Sequence, residues 1–171
     1  MSDIQLRDAQ LEDLALLQHW DEQPHVKAAI GEDDDDWHWE EELKRTPEWR
    51  EFLIAELAGR PIGFIQIIDP KLEDSHYWGE VAESLRAIDI WIGEADALGK
   101  GYGTIMIQQA FQRCFENAAV TAILIDPLKS NTDAHRFYKR LGFKFVEERR
   151  FDTEVCHVYQ LSRVDWEESA L

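Results

Sequence analysis

A chain of 171 residues, 44% of them hydrophobic, can bury a core of one ordinary domain. Its 35 acidic and 18 basic side chains leave a formal net charge of −17, which opposes nucleic-acid phosphates and anionic membrane surfaces. The apolar runs are only strand-length, the start Met1-Ser2-Asp3-Ile4-Gln5 has no secretory pattern, and Cys114 and Cys156 form neither a disulfide framework nor a metal-ligand spacing. The expected setting is therefore a reducing cytoplasm, with no metal. The acidity serves solubility or draws in a cationic ligand.

In chain order, residues 4–6 alternate like a short strand. Residues 11–20 predict a helix with Leu14, Leu16, Leu17 and Trp20 on its apolar side, and Pro24 ends it or begins the next turn. Acid then clumps in Glu32-Asp33-Asp34-Asp35-Asp36 and Glu40-Glu41-Glu42, with Trp37 and Trp39 between. Such a run is a solvated loop or, since aromatic faces stand among carboxylates, a wall for an amine-bearing or sugar-like ligand. A short helix is predicted over 39–44. Strands over 52–57 and 62–68 flank the turn Ala58-Gly59-Arg60-Pro61 and make a hairpin. Residues 69–85 are polar, with Tyr77 and Trp78 near the middle, and read as a long functional loop.

A strand over 87–92 leads to Leu98-Gly99-Lys100-Gly101-Tyr102-Gly103-Thr104. Glycines at alternate positions permit a tight turn into a helix, where outward N–H groups and the helix dipole hold a phosphate; alone, the pattern equally fits a flexible connection. The triphosphate-loop spacing is missing, and Thr104 stands where a dinucleotide fingerprint needs its third glycine. A helix over 104–116 groups Ile107, Ala110, Phe111 and Cys114 on one face. A buried strand over 121–125, a helix over 132–141 stopped by Gly142, and strands over 143–147 and 155–161 complete the chain. This order predicts one mixed sheet flanked by helices. His19, His25, His38 and His76 show no zinc spacing and read as surface residues.

The glycine loop, together with Asp126-Pro127-Leu128-Lys129-Ser130-Asn131 and Phe137-Tyr138 followed by Gly142-Phe143, resembles the GNAT superfamily of acetyl-CoA-dependent N-acetyltransferases. Within it the chain is similar to aminoglycoside 6'-N-acetyltransferases. The pieces are Leu16-Leu17-Gln18-His19-Trp20, Pro24-His25-Val26, Gly63-Phe64-Ile65-Gln66, Tyr77-Trp78, Glu80 and Ile88-Asp89. The resemblance implies a single domain over residues 1–171. Its fold would be an α+β three-layer α/β/α sandwich with a mixed, mostly antiparallel sheet. It also implies acetyl-CoA as cofactor and a small cationic amine as partner, with the chain a monomer or homodimer. The family's loop begins with Gln or Arg where this chain has Leu98 or Ala97, which removes one side-chain contact and leaves the backbone cradle.

Acetyl transfer to an amine requires removal of its proton, polarisation of the thioester and protonation of the departing sulfur. Asp89 interrupts an apolar strand and is the candidate base, the alternative being a strand residue turned to solvent. The resemblance makes Tyr138 the acid for the sulfur. It assigns the backbone of Ile90, Trp91 and Ile92 to pantetheine and residues Leu98, Gly99, Lys100, Gly101, Tyr102, Gly103 and Thr104 to the phosphates. Asn131 caps the next helix or contacts pantetheine or substrate. Asp126 follows a buried strand and binds substrate ammonium groups or merely forms a turn before Pro127. Trp37, Trp39, Tyr77, Trp78, Glu80 and Asp152 are candidate substrate walls. The expected reaction is acetylation of a 6'-amino group in a ternary complex. The rivals are a siderophore precursor, polyamine or protein N-terminus as acceptor, and a silent acyl-CoA-binding module.

Overall fold

The computed structural model describes residues 3–31 and 37–169. Strand β1 (Ile4–Asp8) is followed by a 3-10 turn, Leu11–Asp13, and helices α1 (Leu14–Asp21), α2 (Pro24–Ile30) and α3 (Trp39–Lys44). Strands β2 (Arg50–Leu57), β3 (Arg60–Ile68) and β4 (Leu85–Ile92) precede helix α4 (Tyr102–Phe115). Then come β5 (Ala122–Ile125), α5 (Thr132–Arg140), β6 (Lys144–Phe151), β7 (Glu154–Ser162) and α6 (Arg163–Ser169). The acidic run 32–36 lies outside the described residues.

The seven strands form one sheet in the order β1-β2-β3-β4-β5-β7-β6. All neighbours are antiparallel except β4 and β5, the mixed arrangement expected from the element order. The β2–β3 turn is a two-residue connection with Ala58 at φ 49° and Gly59 at φ 85°, the left-handed geometry that matches strand twist. Parallel pairing of β4 with β5 is limited to Leu85↔Ala122, Arg86↔Ile123 and Ala87↔Leu124. From Ile88 to Ile92, β4 pairs only with β3 among the described residues.

Side-chain alternation sends Ile88, Ile90 and Ile92 into the cluster under α4, where Ile107, Ala110, Phe111 and Cys114 are buried on the predicted face. Trp91 points the other way, into the cluster of Trp20, Trp39, Ile54 and Phe64 beneath α1 and α3. Asp89, two residues from Trp91, shares that second face.

Three details depart from the sequence reading. The predicted 11–20 helix is divided, because the Asp13 carboxylate accepts from the Gln10 N–H at 2.8 Å and binds Arg7 through both oxygens, stabilising the tight turn. Pro24 begins a helix rather than only ending one, a position where its missing N–H costs nothing. Helix α6 was not anticipated; Trp166 stacks on Phe115 at 4.6 Å and secures it.

At the end of β4, the Trp20 ring lies against Gly93 and its Nε1 donates to Glu94 at 3.0 Å. A Cβ on residue 93 would stand 2.1 Å from Trp20 Cδ2, so only glycine admits the ring. Gly93→Ala is expected to cost about 3 kcal/mol through overpacking, read as a lower urea midpoint with an unchanged m-value.

Candidate active site

The separation of β4 from β5 opens a cleft of about 1690 Å³. One end is built by the turn after β4. Gly99 at φ 71° and Gly101 at φ 83° adopt the left-handed conformation that lets the chain fold straight into α4. The first-turn N–H groups of this 14-residue helix have no partner within the helix, so the turn presents donors and a positive dipole end. Leu98, Gly99, Gly101, Gly103 and Thr104 line the cleft, as do Ile90, Trp91 and Ile92; Lys100 and Tyr102 do not. Gly103 is close enough to Phe137 that a Cβ would touch its ring at 3.8 Å, which ties α5 to this corner.

The centre of the cleft holds two carboxylates on opposite banks. Asp89 of β4 opens onto the cleft and accepts from Gln66 Nε2 at 3.0 Å, its register partner on β3. Its side chain is open to the cleft, yet the surrounding protein displaces enough water to push its carboxyl up to about 6, against the Gln66 bond that opposes the rise. Asp126, just past β5, accepts from the Tyr77 hydroxyl at 3.0 Å. Burial first, and then the charge of Asp89, raises Asp126 well above the ordinary carboxylate range. The charge of Asp89 acts on Asp126, so the two carboxyls lose their protons in successive steps.

Tyr138 of α5 is buried at 7% exposure, lines the same cleft, and stays protonated because burial and both carboxylates raise it above its ordinary value. Asn131 caps α5 by accepting from the Ala134 N–H at 3.2 Å and lines the cleft as well. The structure therefore brings Asp89, Asp126, Tyr138, Asn131 and the glycine turn around one space.

The aromatic and acidic walls divide differently from expectation. Trp37 is 37% exposed and packs edge-on against Trp39 at 5.3 Å; both line the cleft. Trp39 is itself buried and donates Nε1 to Asp21. Asp152, at the β6–β7 turn, lines the cleft with φ 55°. Trp78, by contrast, is a core residue, 2% exposed and packed edge-on to Phe151 at 5.2 Å, and does not reach the cleft. Glu80 is exposed and stands outside the cleft. Tyr77 supplies the wall from that segment instead, because the turn at 76–79 directs it to the cleft and Trp78 inward.

Other residues enter the site in roles that no local periodicity assigns to them. Gln66 reaches Asp89 only through strand register across the 69–84 segment. His25 is not the surface residue expected: it is half-buried, and a ring N–H donates to the Ile92 carbonyl at 2.9 Å, fixing α2 to the open edge of β4. Lys27 and Arg140 are the Lys and Arg side chains among the described residues that line a cleft otherwise rich in carboxylates. A concave space with donors at one end and anions at the other suits an elongated ligand with a phosphate tail beside a cationic partner.

Residues 9–151 match the family described as Acetyltransferase (GNAT) domain. Over 92 residues, 53% of this chain, the sequence is 36% identical to aminoglycoside N(6')-acetyltransferase type 1 of Klebsiella pneumoniae, and the match spans 46%, about half, of that relative's length. Over 170 residues, 91% of this chain and 76% of the relative, it is 27% identical to lysine N-acyltransferase MbtK of Mycobacterium tuberculosis. A crystal structure of aminoglycoside acetyltransferase AAC(6')-Ib in complex with coenzyme A and kanamycin superposes with a TM-score of 0.86 at 27% identity, covering 98% of this chain and 99% of that one. The same enzyme with ribostamycin and coenzyme A gives a TM-score of 0.87 at 27% identity over 99% and 98% of the two chains. With the family matched over most of its length and the sheet, glycine turn and splayed strands in place, the chain belongs to the GNAT acetyltransferase family.

Proposed function

We propose that this protein transfers the acetyl group of acetyl-CoA to a primary amine of an aminoglycoside-like polycation, at the 6'-amino group, within a ternary complex. The observation that carries this reading is the pairing of Asp89 and Asp126 at the parting of β4 and β5, between a phosphate-ready turn and an acidic, tryptophan-walled mouth.

The residues fit acetyl-CoA. The N–H groups of the turn at Gly99–Gly103 would hold the diphosphate, and the open backbone edge at Ile90–Ile92 would take the pantetheine amides like an added strand. Bound there, acetyl-CoA supplies an activated acyl group. Asp126, Asp152 and Trp37 hold the cationic acceptor; Trp39 stiffens that wall. Asp89, raised to about 6, is ionised at neutral pH yet basic enough to accept the ammonium proton directly or through water. The freed nitrogen would form the amide bond as the carbon–sulfur bond breaks; the Tyr138 hydroxyl would give its proton to the sulfur and regain one from the nitrogen, which sheds its second proton on becoming an amide.

Direct transfer is supported by the cysteines. Cys114 is enclosed in the core, and burial followed by the Asp126 charge pushes the Cys156 thiol up to about 12, so neither offers a thiolate nucleophile. Two unlinked thiols also suit a reducing, cytoplasmic setting for a monomer or homodimer. An acceptor with a single amine, as for a siderophore precursor, would leave most of the mouth's carboxylates without a counter-charge.

Thiol release from acetyl-CoA should occur with kanamycin or tobramycin and be at background with polyamines, lysine-type amines and peptides. Activity confined to the latter group would redirect the acceptor, and binding without release would leave an acyl-CoA-binding module. Asp89→Ala should lower kcat by about 100-fold or more while calorimetric CoA affinity stays near wild type.

Asp89 should also be a stability liability. Its ordinary value is 3.8 and its folded value about 6, so the folded chain binds the extra proton between them and loses stability as pH rises through that window. Asp89→Asn is therefore expected to raise the melting temperature at pH 7.5, with the advantage shrinking to nothing below about pH 4, as followed by thermal unfolding across pH.

A further inference from the structure

Tyr77 lies in the segment between β3 and β4, outside any helix or strand, yet it is held from several sides. Its backbone N–H donates to Glu73 Oε2 at 3.0 Å, and the same carboxylate receives the Ser75 N–H and hydroxyl at 2.8 and 2.7 Å. Its ring lies on Phe151 at 4.4 Å and 8° between planes, the flattest stack among the described residues. Arg149 closes the arrangement, donating to the Trp78 carbonyl at 2.6 Å with its guanidinium 5.1 Å from the Phe151 ring. A tyrosine fixed this way, with 47% of its surface still open, directs its hydroxyl at a single described partner, Asp126 Oδ2, at 3.0 Å.

We infer that Tyr77 is the positioning residue for Asp126: its hydroxyl fixes one carboxylate oxygen and favours the anion, the form that a cationic acceptor in the cleft would meet. The part concerning the acceptor rests on the proposed acetyltransferase reading; the hold on Asp126 does not.

The groups acting on Asp126 are Asp89 from β4, Tyr77, Arg149 from β6, Cys156 from β7 and Tyr138 from α5. Burial and Asp89 favour its neutral form; the Tyr77 donor, the Asp126 backbone N–H and Arg149 favour the anion. Cys156 and Tyr138 stay protonated and add no charge. Tyr77 is itself raised far above its ordinary range, by burial and then by Asp126 and Asp89, so it remains an O–H donor throughout the working range of pH. Losing that donor tips the balance toward a protonated Asp126, which attracts an ammonium group only weakly.

Tyr77→Phe keeps the ring and removes the hydroxyl. In protein labelled with 13C at aspartate carboxyls, with Asp126→Asn identifying the signal, the Asp126 midpoint should rise by about one pH unit. In the same variant the acid limb of kcat/KM for kanamycin should move up by about one unit, with KM affected more than plateau kcat and CoA affinity unchanged. Tyr77→Leu, which also removes the stack, should lower the melting temperature as well. An unchanged Asp126 midpoint in Tyr77→Phe would overturn the inference. A moved midpoint in a protein that acetylates no aminoglycoside would uphold the hold on Asp126 and reject the acceptor.

Discussion

Strands β4 and β5 run side by side for three residue pairs and then part, and most of the molecule's chemistry follows from that parting. A fully zipped pair would spend the β4 edge on ladder hydrogen bonds and bring the strand ends into contact. Among the described residues β3 alone pairs with β4 from Ile88 to Ile92, so one edge of a central strand stays available inside the protein. Asp89 and Asp126 then occupy the two banks, and the glycine turn closes the upstream end. Ordinarily an unpaired interior edge is a liability; here a helix, α2, stands beside it through the His25 bond to Ile92, leaving room for an extended guest.

The electrostatics follow the same geometry. Burial raises the proton affinity of both cleft carboxylates, and the charge of Asp89 raises Asp126 further. The side-chain hydrogen bond to each comes from a neutral donor, Gln66 for Asp89 and Tyr77 for Asp126, with the Arg149 charge acting on Asp126 besides. Neutral donors orient a carboxylate without cancelling its charge, as an arginine partner would. The ion pairs that do use arginine lie away from this centre, such as Arg7 with Asp13 and Arg50 with Glu42. The cleft thus keeps an unspent negative field, in keeping with a net charge of −17.

How much of this was legible in the sequence depends on how local each signal is. The buried face of α4, the β2–β3 hairpin, the glycine turn and the Asn131 cap are written within a few neighbours each, and the structure has all of them. Asp89 stood out because a lone carboxylate interrupts an apolar strand. Gln66 gave no such warning: its role depends on a register set across a long irregular segment. Tyr77 and Trp78 are adjacent aromatics in a segment without periodicity, so nothing local says which faces the cleft; the Phe151 ring, 74 residues beyond Tyr77, sorts them by stacking with one and burying the other. His25 sits in a polar stretch, and its partner is a backbone carbonyl whose side-chain identity carries no information.

The contact of Trp20 with Gly93 carries a mechanical implication. Helix α1 contributes Gln18 and Asp21 to the acidic mouth, while Gly93 and Glu94 begin the bend that becomes the phosphate-ready turn. A wide, stiff indole wedged at van der Waals contact and latched by its N–H transmits displacement rather than absorbing it. The two mouths of the cleft therefore share one rigid contact, which fixes the spacing between the helix that edges one and the bend that edges the other.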